Sequence, residues 1–134
     1  MTLLQHLLLG SLGGFAYGAL ELLYRGRTHG SMVLAGALSF WMVGMINEAA
    51  PWMPLPAQAI WGAALITALE LLTGLAVNRR LTVWNYTACP CNFRGQICLP
   101  YSLLWVPLAL TAVFLDDALR LLLFHQAPPV YRWF

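Results

Sequence analysis

Pro56-Ala-Gln-Ala-Ile-Trp-Gly-Ala-Ala-Leu-Ile-Thr-Ala-Leu-Glu-Leu-Leu-Thr-Gly-Leu-Ala-Val77 carries a single charge, Glu70. An α-helix needs about 20 apolar residues to cross the hydrocarbon of a bilayer, and this stretch meets that length. Working outward, the charge-free runs Met1–Leu20, Thr28–Asn47 and Gly95–Leu115 repeat the pattern. Ordinary soluble domains are about 25% charged; here 9% of the 134 residues are charged and 60% are apolar. Too little polar surface exists to coat a soluble globule. The reading is an all-α, polytopic integral membrane protein over residues 1–134, forming one transmembrane domain.

Four spans are expected, at about 3–24, 31–46, 56–77 and 97–115, with a short interfacial helix at about 116–126. Pro51, Pro54 and Pro56 punctuate the second connection, where Trp52 suits an interfacial anchor. Pro107 predicts a kink in the fourth helix, because it lacks the N–H that would bond one turn back. The first run has no basic residues ahead of it and reads as a retained span, not a cleaved leader.

Five arginines (Arg25, Arg27, Arg79, Arg80 and Arg94) fall in the first and third connections, and only Arg120 and Arg132 fall on the other side. Because basic residues favour the cytoplasmic face, both termini are expected outside and those two connections in the cytoplasm. The seven arginines are scattered, which gives no nucleic-acid-binding stripe. The chain has no Lys, which excludes a P-loop, whose lysine contacts the phosphates. This chain therefore does not hydrolyse ATP by that route.

Chemistry concentrates where charge enters the spans. Glu70 lies eight residues before Asn78, roughly 12 Å deep at 1.5 Å per residue, with no Arg within one turn. A charge at that depth costs about 2.5–3.5 kcal/mol on insertion scales and faces protein or water. Ala19-Leu-Glu-Leu-Leu23 recurs as Ala68-Leu-Glu-Leu-Leu72, and Gly13 falls on Gly62 at the same offset. The odd-numbered helices thus each carry a carboxylate, Glu21 and Glu70, towards one end. The small-residue lines Gly10, Gly14, Gly18 and Gly62, Gly74 are helix-packing faces. They turn both carboxylates inward, where the two are expected to meet.

For Glu21 the plain alternative is an i,i+4 ion pair with Arg25. Arg25-Gly-Arg-Thr-His29 reads either as a substrate site with His29 handling protons or as an ordinary cytoplasmic turn. Trp84-Asn85-Tyr86 reads either as a functional loop cluster or as interfacial aromatics. Cys89, Cys91 and Cys98 do not form a C-x-x-C motif and face a reducing compartment, so no metal and no cofactor are expected. Asp116-Asp117 reads as a solvated helix start.

The run Gly13-Gly-Phe-Ala-Tyr17, Glu21, Arg25-Gly-Arg-Thr-His29 and Ser31-Met32 resembles the opening signature of the ABC-transporter type IV (CmpB-like) membrane proteins. The match continues through Gln58, Ile66-Thr67, Glu70, Thr73-Gly74, Asn78, Val83-Trp84-Asn85-Tyr86, Pro90 and Asn92. It then covers Gly95-Gln-Ile-Cys-Leu99, Ser102-Leu-Leu-Trp105 and Leu115-Asp-Asp117. The resemblance implies a small permease-like protein of the bacterial cell (inner) membrane. Asn85 stands where that family has Asp, and Gly30 follows His29 where the family has Trp.

The preferred reading is a self-associating bundle with a cytoplasmic pocket. Glu21, Arg25, Thr28, His29, Glu70, Asn78, Asn85, Tyr86 and Gln96 would line it and bind a small solute or ion. Its partners would be lipid, further copies of the chain and, for any ATP-driven version, a separate ATPase subunit docked on the two basic connections, with no nucleic acid. Two rivals remain: a lipid-modifying membrane enzyme using Glu/His acid–base chemistry, and a non-catalytic assembly factor whose glycine faces seat partner helices.

Overall fold

The computed structural model describes residues 1–134. Four helices follow in order: α1 (Leu3–Arg25), α2 (Gly30–Ala49), α3 (Leu55–Val77) and α4 (Leu99–Phe124). The only strands are a two-residue antiparallel pair in the last connection, β1 (Asn92–Phe93) and β2 (Ile97–Cys98). The fold is all-α. Three helices, α1 to α3, are long and apolar enough to cross a membrane.

Local chemistry sets the helix ends. Thr2 and Gln5 form a reciprocal capping box at the start of α1, satisfying two otherwise orphaned donors. Gly26 closes α1 at φ 72°, with its N–H bonded to the Leu22 carbonyl. Pro56 and Pro100 occupy the first turns of α3 and α4, where a missing N–H costs nothing.

The fourth helix departs from expectation. It begins at Leu99 and runs through Pro107 to Phe124 without a break, so no separate interfacial helix starts at residue 116. The reason is visible at the expected break: Asp116 and Asp117 are not solvated but buried inside the bundle. Asp116 pairs with Arg120 one turn on in the same helix, and Asp117 is held by Asn47 of α2 and Tyr131 of the C-terminal tail, so the helix runs on with both acids partnered.

Helices α1 and α2 pack as one hairpin and α3 and α4 as another, with α2 bridging to both α3 and α4. Small residues allow the close approaches. A Cβ on Gly14 would lie 2.7 Å from both Ala37 Cβ and the Val33 carbonyl, and one on Gly62 would lie 2.7 Å from Ala109 Cβ. Gly10 and Gly18 face Ala37 and Val33 across the same α1–α2 seam. Val43, Leu55, Ala109 and Val113 form the apolar centre shared by α2, α3 and α4. In contrast, α1 and α4 touch at few positions, and cavities lie between them.

Polarity is arranged inside out. Nine polar or charged side chains are buried, whereas large apolar residues such as Leu4, Leu23, Leu34 and Ile60 point outward. Water would penalise that arrangement, and hydrocarbon rewards it.

Candidate functional site

Glu21 lies on the last turn of α1 and is 6% exposed. Its Oε1 accepts from Arg25 Nη1 at 2.8 Å, and its Oε2 accepts from the Thr28 hydroxyl at 3.1 Å. Arg25 Nη2 donates in turn to the Val83 carbonyl at 3.0 Å. This i,i+4 pair is therefore also a clasp between the first turn and the long loop.

Glu70, on α3, is 5% exposed. Its Oε1 accepts from the Tyr86 hydroxyl at 2.7 Å and its Oε2 from Trp105 Nε1 at 3.1 Å. The chain's ion pairs join Glu21 to Arg25, Glu48 to Arg120 and Asp116 to Arg120, and none includes Glu70. Each carboxylate is therefore held by hydrogen bonds, but only Glu21 has a countercharge in contact.

Tyr86 reaches Glu70 because the loop is folded rigidly beneath α3. Asn78, which ends that helix, accepts from Val83 N at 2.9 Å and donates to the Trp84 carbonyl at 2.8 Å and to Gln96 Oε1 at 3.1 Å. Gln96 Nε2 returns a bond to the Asn78 carbonyl, and Trp84 Nε1 donates to the Gln96 carbonyl at 2.8 Å. Gly74 leaves the space that the Gln96 amide fills. Burial, followed by the charge of Glu70, holds the Tyr86 phenol well above its ordinary pKa. Tyr86 is accordingly the donor in this bond.

Two adjoining cavities occupy the gap between α1 and α4. The inner one, about 120 Å³, is bounded by Tyr17, Glu70, Trp105 and apolar residues of α2 and α4. The outer one, about 370 Å³, is bounded by Glu21, Arg25, Tyr24, Tyr86, Tyr101 and leucines of α1 and α4. Tyr17, Leu20, Trp105, Leu108 and Thr111 line both. Tyr86 stacks on Tyr101 with centroids 4.7 Å apart, and Trp105 meets Tyr17 edge-on at 6.4 Å.

The expected site residues divide into three groups. Glu21, Arg25, Glu70 and Tyr86 bound the cavities, with Thr28 bonded to Glu21 from an exposed position. Asn78 and Gln96 are buried in the loop's own lock, engaged by Trp84, Val83 and each other. His29 and Asn85 lie outside. His29 is the exposed cap of α2, its Nδ1 accepting from Ser31 N, and Asn85 turns its carbonyl back to Thr87 N. The imidazole does not close the pocket, and Glu21 and Glu70 are not bonded to one another. The reason is topological: α1 pairs with α2, not with α3. Cys98 caps α4, Cys89 and Cys91 sit in the loop, and all three are free thiols. No group of His, Cys, Asp or Glu side chains could hold a metal ion.

Two features escaped the sequence reading. Tyr17, Tyr101 and Trp105 form the aromatic wall around Glu70; Tyr101 and Trp105 are four apart, a helical-face spacing. At the opposite end, Asp116, Asp117 and Arg120 are buried with Asn47 and Gln58. Arg120 Nε donates to Asp116 at 2.6 Å, while Asn47 Nδ2 and the Tyr131 hydroxyl donate to Asp117 at 2.8 and 2.9 Å. Gln58 Nε2 donates to Asn47 at 3.1 Å. The acidic pair is thus the centre of a second polar lock.

Comparison with known proteins adds one finding. Residues 11–133 match the protein family described as Putative ABC-transporter type IV. No curated protein and no solved structure matches the chain.

Proposed function

The chain belongs to the Putative ABC-transporter type IV family and is a transporter-related membrane protein; from that premise we propose that it is a permease-like component with a solute site beside Glu70. In this reading residues 1–134 form one domain that crosses a bacterial inner membrane four times, α4 included. The turn after α1 and the loop after α3 face the cytoplasm, as the five arginines there favour. The chain self-associates, and the same two connections dock a separate ATPase subunit.

One observation carries the assignment. Glu70 is a buried carboxylate within an apolar helix, without a countercharge in contact, at the wall of a cavity between two helical hairpins. Ionisable groups at this depth in an apolar helix mark solute and ion pathways, and Glu70, unlike the buried Asp117, stands at the wall of the inner cavity. Glu21 and Arg25 form the polar rim, and the locked loop holds Tyr86 against the site. The acid–base reading loses its imidazole, because His29 caps α2 and lines neither cavity.

The test replaces the chromosomal gene with Glu70→Gln or Arg25→Ala and compares small-solute and ion contents of cells by mass spectrometry. Membrane levels of the protein are followed in parallel. Altered retention or uptake of at least one solute, with normal protein level, is expected. Unchanged contents in both variants at normal level overturn the assignment.

A further inference from the structure

The two cavities have a chemical character that narrows what they can take. Of the residues bounding the outer cavity, Tyr17, Tyr24, Tyr86, Tyr101 and Trp105 are aromatic. Its volume of about 370 Å³ falls in the range of ligand pockets, roughly 300–1,000 Å³. An anion is disfavoured. The Arg25 guanidinium is committed to Glu21 and the Val83 carbonyl, and the Tyr86 hydroxyl and Trp105 N–H are committed to Glu70. An anion entering the outer cavity would find its nearest donors engaged, the Glu21 carboxylate in its wall and Glu70 in the wall of the adjoining inner cavity. A hard metal ion is also disfavoured, because Ca²⁺ and Mg²⁺ require six or more oxygen ligands, and no such cluster exists. A weakly hydrated organic cation gains from the rest of the lining: ring faces attract it, Glu70 supplies a countercharge, leucines match its apolar body, and the Arg25 charge is offset by Glu21.

Resting on the reading of this cavity as a solute site, we propose that it binds an amphipathic organic cation. The ammonium or phosphonium centre lies where the outer cavity meets the inner one, between Tyr17 and Trp105, which line both, with Tyr101 in the outer wall and Glu70 in the inner wall; the apolar body lies along Leu20 and Leu108. The sparse contact between α1 and α4 gives such a molecule a lateral way in from the bilayer.

The experiment uses tetraphenylphosphonium and tetraphenylborate, ions of nearly the same shape and opposite charge. Binding of each to the purified full chain in lipid nanodiscs is measured by equilibrium dialysis, with empty nanodiscs as the baseline. Saturable binding of tetraphenylphosphonium is expected, with none of tetraphenylborate. Glu70→Gln should weaken it by about tenfold or more, and Tyr101→Leu by about threefold to tenfold, as the loss of one ring face implies. Leu34→Ala, on the outward face of α2, should leave it unchanged.

Helical circular dichroism establishes that each variant is folded; should Glu70→Gln not fold, Tyr101→Leu decides. Three results overturn the proposal: no saturable phosphonium binding, equal saturable binding of the borate, or full binding by every folded site variant. The cellular assay separates the two readings. Loss of phosphonium binding beside a persisting Glu70→Gln solute phenotype removes the substrate class and keeps the transport role. Specific phosphonium binding with no solute phenotype does the reverse.

Discussion

Asp116 of α4 sits directly on Gly44 of α2, so that a Cβ at residue 44 would lie 2.6 and 2.7 Å from the two carboxylate oxygens. The acid is 1% exposed, and its Arg120 partner is buried beside it. Gly44→Ala must push α4 away from α2 or expel the carboxylate, and overpacking of this kind costs about 1–3 kcal/mol. The thermal midpoint of the purified protein should fall, whereas Gly30→Ala, with open space around it, should leave it in place. An unchanged midpoint for Gly44→Ala would show that this end of the bundle is loose.

The loop lock makes a second prediction, which also separates two roles for Asn78. If Asn78 chiefly holds the loop, Asn78→Ala removes bonds to Val83 N, the Trp84 carbonyl and Gln96. Each buried group left unpaired costs about 1–3 kcal/mol. Hydrogen exchange across residues 79–98 should then accelerate strongly, while Asn85→Ala, which touches only Thr87 N, should change it little. Equal effects of the two substitutions would contradict the lock.

The helices were legible because charge-free runs are long and hydrocarbon tolerates little else; three of the four expected spans lie within a few residues of α1, α2 and α3. The inward face of Glu70 was legible for the same reason, since depth alone forbids a lipid-facing carboxylate. Asp116 and Asp117 were not, because an acidic doublet after an apolar run looks like a helix meeting water. Only Gly44 and Asn47, some 70 positions earlier, reveal that it is buried. The aromatic wall was hidden differently. Tyr17, Tyr101 and Trp105 carry no unusual spacing until the gap between α1 and α4 is known, and hairpin pairing of the helices, not their apolarity, creates that gap. His29 was misplaced because a helix cap and a site imidazole have the same sequence signature.

The Glu21–Arg25 clasp predicts a non-additive pair. Arg25→Gln leaves the Glu21 carboxylate buried with only Thr28 as a donor and also frees the Val83 carbonyl. Removing one partner of a buried pair costs more than removing both charges. The single variant should therefore melt lower than Glu21→Gln/Arg25→Gln, with a coupling of about 0.5–3 kcal/mol for such a network. Additive shifts would mean that Glu21 is already solvated and that the clasp is incidental.

The C-terminal tail gives a prediction in pH. Tyr131 donates to Asp117 at 2.9 Å and meets Phe114 edge-on, while the neighbouring Arg132 carbonyl accepts from Leu55 N at 2.7 Å. Burial, followed by the bond to Asp117 and its charge, pushes the Tyr131 phenol up to about 12 from an ordinary 10.0. A raised phenol pKa means that the folded state favours the neutral form. The latch is therefore fully present below pH 10 and is lost as pH rises through about 12. With 5-fluorotryptophan incorporated, the fluorine resonance of Trp133, assigned through Trp133→Phe, should stay at its latched position up to pH 10. It should then move between 10 and about 12 as the tail releases. In Tyr131→Phe the hydroxyl bond is absent throughout, and no transition should occur in that window. A Trp133 transition centred at or below pH 10 in the unaltered chain, or an identical one in Tyr131→Phe, would show that Asp117 does not hold the tail through this phenol.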